Sequence, residues 1–324
     1  AAAPGRLGAC NLAAPVTGVG YGPGMTGIDF ANPGQLLLGA RANGYPGVLN
    51  GTIHGLQDHE QRIGRRVHLG MTFVRPGQVP LRTASDMKVA RRPGTGLVVC
   101  WKPHRTWAQA TGRDRATTAY IGQVARWLAA THTPVLLVLH HEPENDVGRA
   151  GSTAHYQAMW RHVRSVFDDH GAANVTWGAA FMNYDKWDAL LPQLWPDPAP
   201  DWCWWNAYGS VQRPDWAENV GRFYTGLEER RWFDPGAAHW GVREWSTKGL
   251  GEAEGAAYFE GARQAVQAGM FPLVRAYMVF DSDGSERDPG MQIGRNSDGT
   301  PAPAKQAAYR GFAHEAAFGP VAAP

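Results

Sequence analysis

The stretch TPVLLVLHHEPEND, residues 133–146, joins an apolar run directly to a cluster of ionisable side chains. Residues 135–139 are apolar without interruption, which is typical of a β-strand that is buried on both faces in a parallel sheet. His140, His141 and Glu142 follow without a spacer. Because ligands bind at the carboxyl ends of parallel strands, this junction predicts a functional site where the strand ends.

Seven further apolar runs recur along the chain at fairly regular intervals. Most are separated by segments with helical spacing, clearest in 120–128, 156–167 and 258–266, and Gly171 and Gly269 stand where the last two of these helices should end. Alternating strands and helices in 324 residues predict an α/β fold, a (β/α)8 TIM barrel. The eight strand runs are LLLGAR from 36, VHLGMTFV from 67, GLVVCWK from 96, PVLLVLH from 134, NVTWGAA from 174, DWCWWNA from 201, HWGVREW from 239 and VRAYMVF from 274.

A doubly wound sheet is the alternative arrangement of alternating strands and helices. It would place a glycine-rich phosphate loop after the first strand, but GYGPGMTG, residues 20–27, follows no apolar strand and contains Pro23. We therefore expect residues 1–35 to form an extended N-terminal segment that packs on the barrel. Residues 36–324 should form a single (β/α)8 domain.

The composition excludes several classes of partner. The chain has 31 basic and 29 acidic residues and no basic run with interleaved aromatic residues, so we expect no nucleic acid partner. No apolar segment approaches the ~20 residues of a membrane helix, so we expect no membrane contact. We also expect the chain to be a monomer. The opening AAAPGRLGAC lacks a signal peptide's features but fits a mature end left by cleavage at a small-residue site. Cys10, Cys100 and Cys203 fit either one disulfide or none.

A second carboxylate stands at another strand exit, in HWGVREWSTKG, residues 239–249. Glu244 ends the seventh strand run inside an apolar setting bounded by tryptophans. A buried glutamate is costly without partners, because desolvation opposes its charge. In a barrel, Glu142 on the fourth strand and Glu244 on the seventh would face each other across the mouth.

These residues resemble the large clan of retaining glycosidases built on this barrel, in which glutamates end strands four and seven. The details are most similar to glycoside hydrolase family 26, in which a histidine precedes the acid/base glutamate, as His141 precedes Glu142 here. DWCWWNAYG with Tyr208, CWKPH with His104, GVREWS with Glu244 and the opening EQRIGRRVHL also resemble that family, and the likeness spans about residues 36–317. HHEPEND departs from the more usual HEMNG, and Trp245 replaces a common phenylalanine.

The resemblance implies a secreted endo-glycoside hydrolase that cleaves a β-linked polysaccharide, β-mannan first, by double displacement. Glu142 would be the acid/base and Glu244 the nucleophile. Tyr208 would orient Glu244, and His141 would contact the sugar or hold the acid/base. Another glycan, such as β-1,3-xylan or β-glucan, and a non-catalytic carbohydrate-binding barrel are the alternatives. No cofactor is expected.

The residues around Glu142 leave alternatives open. Glu142 could be a structural carboxylate that pairs with Arg149 or Arg243. Glu144, two residues on, would be the acid/base if the strand ended later. Regular alternation would point Arg243 into the layer opposite Glu244, where we expect it to form a structural ion pair.

The tryptophans, the histidines and the acidic loop also allow more than one role. Trp101, Trp107 and Trp245 lie at or beyond strand exits, where stacking on sugar rings is expected of at least one. Trp202 and Trp204 share one strand face and Trp205 the other, so at least one should be core. His104 could be a rim residue as easily as a sugar contact. The histidines near Glu142 lack zinc-site spacing, and FDSDGSERDPG, residues 280–290, lacks EF-hand spacing, so no metal is expected, although whether that loop binds an ion stays open.

Overall fold

Eight parallel strands close into a barrel in the computed structural model, which describes residues 28–283 and 288–321. The strand order follows the chain, and the first strand pairs with the eighth. All eight predicted strand runs are therefore confirmed, as is the (β/α)8 class. The strands are β1 (Leu37–Ala42), β2 (Leu69–Val74), β3 (Gly96–Trp101), β4 (Val135–Leu139), β5 (Val175–Phe181), β6 (Trp202–Trp205), β7 (His239–Trp245) and β8 (Val274–Asp281).

Helices connect the strands and cover the outside of the barrel. The helix predicted over 156–167 begins at a capping box of Ser152 and His155 and ends before Gly171, which takes the left-handed conformation expected of a terminating glycine. Gly269 is also left-handed, just beyond the seventh helix. The helices are α1 (Thr52–Ile63), α2 (Ala84–Ala90), α3 (Arg115–Thr131), α4 (Thr153–Asp169), α5 (Leu191–Leu194), α6 (Trp216–Glu228), α7 (Glu252–Gln267) and α8 (Pro303–Ala313).

Apolar side chains fill the amino-terminal end of the barrel interior. Trp202 and Trp204 stack there with ring centroids 5.0 Å apart, and the Trp202 Nε1–H donates to the Phe30 carbonyl at 2.8 Å. Phe30 is buried against the interior cluster, so the described part of the N-terminal segment closes this end. Trp205 faces outward and stacks on Phe223, and all three tryptophans of β6 are core. The expectation for residues 1–27 lies outside the described residues.

The helices and cysteines of the described chain bear on membrane contact and on disulfide bonding. None of its helices is both long and apolar enough to cross a membrane. Cys100 and Cys203 are buried free thiols, one in the barrel interior and one in the layer between sheet and helices, so they are not bonded to each other. Cys10 lies outside the described residues.

Candidate active site

The exit of β4 is built on two left-handed residues. His140 has φ 50° and Glu142 has φ 54°, conformations that cost energy for side chains other than glycine and that cluster at functional sites. The turn directs His140 outward, where it packs on Trp107 and its Nε2 lies 2.8 Å from an Asp146 carboxylate oxygen. His141 stays at the mouth of the barrel beside Glu142. The strand therefore delivers the predicted His–Glu pair to the interior face.

The exit of β7 uses a bulge at a third left-handed residue, Glu244, with φ 52°. Arg243 pairs with Met278 and Trp245 with Val279, so Glu244 is the extra residue in the register. Arg243 and Glu244 both face the barrel interior as a result, and Trp245 turns outward. The expectation that Arg243 points into the opposite layer is wrong, because it assumed unbroken alternation.

Glu142 and Glu244 belong to one connected network at the mouth. The Asn206 amide Nδ2–H donates to Glu142 Oε1 at 2.5 Å, and its Oδ1 accepts from an Arg243 terminal nitrogen at 3.4 Å. The same Arg243 nitrogen forms a close salt bridge with Glu244 Oε1. Tyr208 donates its hydroxyl to Glu244 Oε2 at 3.2 Å, which places Tyr208 as predicted. Asn206 and Arg243 thus hold the two carboxyl groups in fixed relation.

The network sets different electrostatic surroundings for its members. Burial and then the charge of Glu244 raise the pKa of Glu142 to about 7, so it is half protonated near neutrality. Burial, followed by the charge of Arg243, holds the pKa of His141 well below its ordinary value and keeps the ring neutral. Burial and Glu244 raise the pKa of the Tyr208 hydroxyl well above its ordinary value, so it stays a hydrogen-bond donor. The site pairs a protonatable carboxyl with one braced by a cation.

The other glutamate, Glu144, is directed away from the mouth. It is fully buried in the short 3-10 helix Pro143–Asp146, and its Oε1 accepts from the Met182 backbone N–H. Burial raises the pKa of Glu144 to about 8. Since β4 ends at Leu139 and the turn follows at once, Glu142 rather than Glu144 faces Glu244.

The proposed structural partners of Glu142 are also placed. Arg149 pairs with Asp146, not with Glu142, and Lys102 bonds the same carboxylate at 2.8 Å. Arg243 is linked to Glu142 by hydrogen bonds through Asn206. The alternative that Glu142 is a structural carboxylate in an ion pair with Arg149 or Arg243 is therefore wrong.

The three tryptophans predicted to stack on sugars are all fully buried, and that prediction is wrong. Trp101 shares the outward face of β3 and donates its Nε1–H to the Tyr120 hydroxyl at 3.1 Å. Trp107 packs on Tyr156 beneath α4, and Trp245 is turned under α8 by the bulge. Position near a strand exit did not decide their orientation; alternation and the bulge did.

An open cleft lies beside the network, between the loops after β5, β6 and β7. It has a volume of about 570 Å³ and is lined by Asn206 and Tyr208 together with the half-exposed ring of Tyr184. Its lining also includes Asn183 and Arg213. Tyr184 offers an exposed aromatic surface in place of the buried tryptophans. No periodic pattern marks Tyr184 in the sequence, because it lies in a connecting loop.

His104 and His141 occupy different settings on the mouth side. His104 is half-buried, and its Nδ1 accepts from the Thr106 backbone N–H at 3.1 Å, so it shapes its own loop after β3. The structure does not link His104 to the carboxylate network. His141 lies against Phe73, with ring centroids 5.1 Å apart, and its Nδ1 has no hydrogen-bond partner among the described residues.

The oxygen-rich loop after β8 is only partly described. Asp281 at its start is buried and engaged by the Tyr45 hydroxyl at 2.7 Å and by His59 at 2.6 Å. Residues 284–287 lie outside the described chain. Within residues 28–283 and 288–321, no group of three or more His, Cys, Asp or Glu side chains is arranged to hold a metal ion.

Comparison with known proteins gives a likeness in fold. No protein-family model and no curated protein sequence matches this chain. The structure is similar to a modular endo-β-1,4-mannanase from Cellulomonas fimi, with a TM-score of 0.61 and 15% identity over 87% of this chain and 71% of that one. A family 26 β-mannanase from Bacteroides ovatus gives 0.60 and 14% over 88% and 90%. An engineered protein gives 0.62 and 15% over 89% and 72%.

At these low identities, the likeness concerns architecture. The resemblance to glycoside hydrolase family 26 that the sequence motifs predict is confirmed in the barrel fold. A shared barrel hosts many chemistries, so the fold alone does not decide the function of the residues at the mouth.

Proposed function

We propose that this chain is a retaining glycoside hydrolase that cleaves a β-linked polysaccharide. The observation that carries the proposal is the joining of Glu142 and Glu244 through Asn206 and Arg243 at one mouth. Both glutamates are held in strained left-handed conformations, and burial with the charge of Glu244 raises the pKa of Glu142 to about 7. Two carboxyl groups with separate surroundings are what an acid and a nucleophile require.

The two steps follow from those roles. Glu142, protonated, gives its proton to the oxygen of the leaving sugar while the Glu244 carboxylate attacks the anomeric carbon. The resulting glycosyl ester is then cleaved by a water molecule whose proton returns to Glu142. A retaining enzyme needs its two carboxyl groups about 5–5.5 Å apart, too close for a water between them.

The neighbours of Glu244 support its role as nucleophile. Arg243 and the Tyr208 hydroxyl each contact one of its carboxylate oxygens, which fixes its rotamer and places a positive charge beside it. Arg243 is fully buried and contacts Cys100 Sγ at 2.7 Å as well, so its guanidinium cannot swing away. Glu142, in contrast, receives an amide hydrogen bond that orients it without supplying a positive charge.

The substrate class comes from the family likeness and from the shape of the mouth. The neighbouring structures are mannanases, which favours β-mannan and internal cleavage. The cleft beside Tyr208 is open to solvent, as a polymer requires, and Tyr184 supplies an aromatic surface there. His141, neutral beside Glu142, would contact the sugar next to the scissile bond, and His104 would act farther out.

Two other functions remain distinct in their observable consequences. A hydrolase for another glycan, such as β-1,3-xylan or β-glucan, would keep the same glutamates and differ in the substrate cleaved. A non-catalytic carbohydrate-binding barrel would bind without turnover. The strained carboxylates favour catalysis, because binding alone does not require two such residues at a cost in backbone energy.

The setting of the protein follows from its substrate. Polysaccharides lie outside the cell, so we propose that the chain acts as a secreted monomer without cofactor. Mass spectrometry of the protein from its native source would show a precursor that carries a cleavable leader; a precursor without one would overturn secretion.

A screen of polysaccharides with product analysis tests the function. Wild-type protein should release oligosaccharides from β-mannan with the anomeric configuration retained in the first products seen by NMR. Glu244→Gln, which keeps the volume of the side chain and removes its charge, should release none. Turnover that persists in Glu244→Gln would overturn the proposal.

A further inference from the structure

Arg41 lies at the carboxyl end of β1, on the strand face that lines the barrel. Gly39, two residues before it, faces inward, because an added Cβ would meet the interior side chains of Leu69 and Met278. Alternation then places Arg41 on the same face, beside Phe73 of β2. Its guanidinium is therefore at the mouth that also holds Glu244.

Within residues 28–283 and 288–321, the Arg41 side chain has no hydrogen bond and no ion pair. Its Nε is buried without a partner, and its guanidinium carbon lies 5.8 Å from the Phe73 ring centroid. Two of the nearby carboxylates are engaged elsewhere: Asp86 accepts from the Thr52 hydroxyl at 2.5 Å, and Glu244 pairs with Arg243. A buried Nε–H without an acceptor is unfavourable, because this donor has lost water without compensation.

The space in front of Arg41 is shared with the candidate acid. The Phe73 ring centroid lies 5.8 Å from the Arg41 guanidinium carbon and 5.1 Å from the His141 ring centroid, and His141 precedes Glu142. Phe73 also lines a cleft of about 700 Å³ that continues over the exits of β1 and β2. A sugar held against the two glutamates would extend toward this cleft.

We propose that Arg41 binds an anionic substituent of the substrate, a carboxylate or a sulfate, so that the natural glycan is an acidic β-linked polysaccharide. This inference rests on the proposed hydrolase function and names its substrate class. A guanidinium matches the two oxygens of a carboxylate or sulfate with two parallel hydrogen bonds. The neighbouring cations are already committed: Lys102 to Asp146 and Arg243 to Glu244.

The test measures binding separately from turnover, on the Glu244→Gln background. Calorimetry compares three probes: a β-1,4-mannan oligosaccharide, its counterpart with the primary alcohols oxidised to carboxylates, and its sulfated form. At least one anionic probe should bind about tenfold or more tightly than the neutral one, and added salt should reduce the difference. The tighter of the two anionic probes identifies the substituent.

Substitution of Arg41 then decides the cause. Arg41→Met should abolish the preference for the anionic probe, Arg41→Lys should retain only part of it, and Arg126→Met on the exposed side of α3 should keep it whole. If Arg41→Met fails to fold by circular dichroism, the Arg41→Lys result carries the test. Equal affinity for neutral and anionic probes, or a preference that survives substitution, would overturn the inference.

The two proposals fail in different ways. Wild-type protein that cleaves neutral and anionic glycans with equal kcat/KM retains the hydrolase function and refutes the role of Arg41. Protein that binds the anionic probe through Arg41 but never cleaves any glycan retains the binding site and refutes the hydrolase.

Discussion

The exits of β4 and β7 present the same residue type in opposite surroundings. Each places a glutamate in a left-handed conformation at the mouth, Glu142 with φ 54° and Glu244 with φ 52°. Glu244 has a buried arginine before it in the chain and a tyrosine hydroxyl in contact. Glu142 accepts a hydrogen bond from the Asn206 amide and is repelled by the negative charge of Glu244.

The difference shows how one barrel assigns two jobs to two identical side chains. A cation in contact favours the charged carboxylate, whereas burial near another negative charge favours the protonated form. The bulge is what brings Glu244 to the interior beside Arg243, which already faces inward opposite Met278. The backbone irregularity is therefore the origin of the electrostatic asymmetry.

The largest effect is expected from Glu244→Ala. Without the nucleophile no glycosyl ester can form, so kcat should fall by more than the roughly 10²–10⁴-fold that a proton-transfer group contributes. Added azide should restore part of the turnover on an activated aryl glycoside and give a glycosyl azide of inverted configuration, measured by NMR. A retained azide product would show that Glu244 is not the nucleophile.

A smaller and substrate-dependent loss is expected from Glu142→Ala. Turnover of polysaccharide should fall roughly 10²–10⁴-fold, because its leaving oxygen needs a proton, whereas an activated aryl glycoside should lose much less in the first step. Azide should here give the retained product. Glu144→Ala is the matched control; leaving-group dependence in that variant instead of Glu142→Ala would exchange the roles of the two glutamates.

The pH profile tests the surroundings of Glu142. Its protonated form is the active acid and its pKa is about 7, so kcat/KM should fall as pH rises above about 7. Asn206 donates to the carboxylate and so stabilises the charged form; Asn206→Ala should raise the pKa and move the alkaline limb up by about one pH unit. Asn145→Ala, on the exposed side of the same turn, should leave it in place. A shift to lower pH would contradict this reading of the network.

The smallest effect on activity is expected from Glu144→Gln, which should change kcat/KM less than about tenfold since Glu144 faces away from the mouth. Its consequence is for stability. The folded pKa of Glu144 is raised from 4.5 to about 8, so its ionisation adds no cost below about pH 4.5, where both states are protonated, and an increasing cost as pH rises toward 8. Denaturant unfolding should show the variant gaining on wild type by up to about 1.4 kcal/mol per pH unit across that window. A pH-independent difference would mean that Glu144 is not held protonated.

The parts of the molecule that follow simple periodicity could be predicted from the sequence. Continuous apolar runs such as 135–139 identify strands buried on both faces, and their alternation with helices identifies the barrel. The carboxyl ends of the strands then place Glu142 and Glu244 at one mouth. The position of Tyr208 at the mouth could be predicted for the same reason, because it follows the carboxyl end of β6.

What could not be predicted depends on broken periodicity. Nothing in GVREWS marks Glu244 as the bulged residue, and the bulge decides that Glu244 joins Arg243 on the interior face and that Trp245 turns outward. The left-handed φ of His140 could not be predicted either, because glycine, the usual sequence signal for that conformation, does not stand there. Asn206 and Arg41 gain meaning only from what they contact, or fail to contact, in three dimensions.

Trapping of the covalent intermediate tests the central claim most directly. Wild-type protein is incubated with a fluorinated β-mannosyl fluoride, whose glycosyl ester hydrolyses slowly, and the digested protein is analysed by mass spectrometry. The account predicts one sugar attached to the peptide that contains Glu244, and no such label in Glu244→Gln. A label on the peptide that contains Glu142 and Glu144, or time-dependent turnover of mannan by a protein that forms no ester, would contradict it.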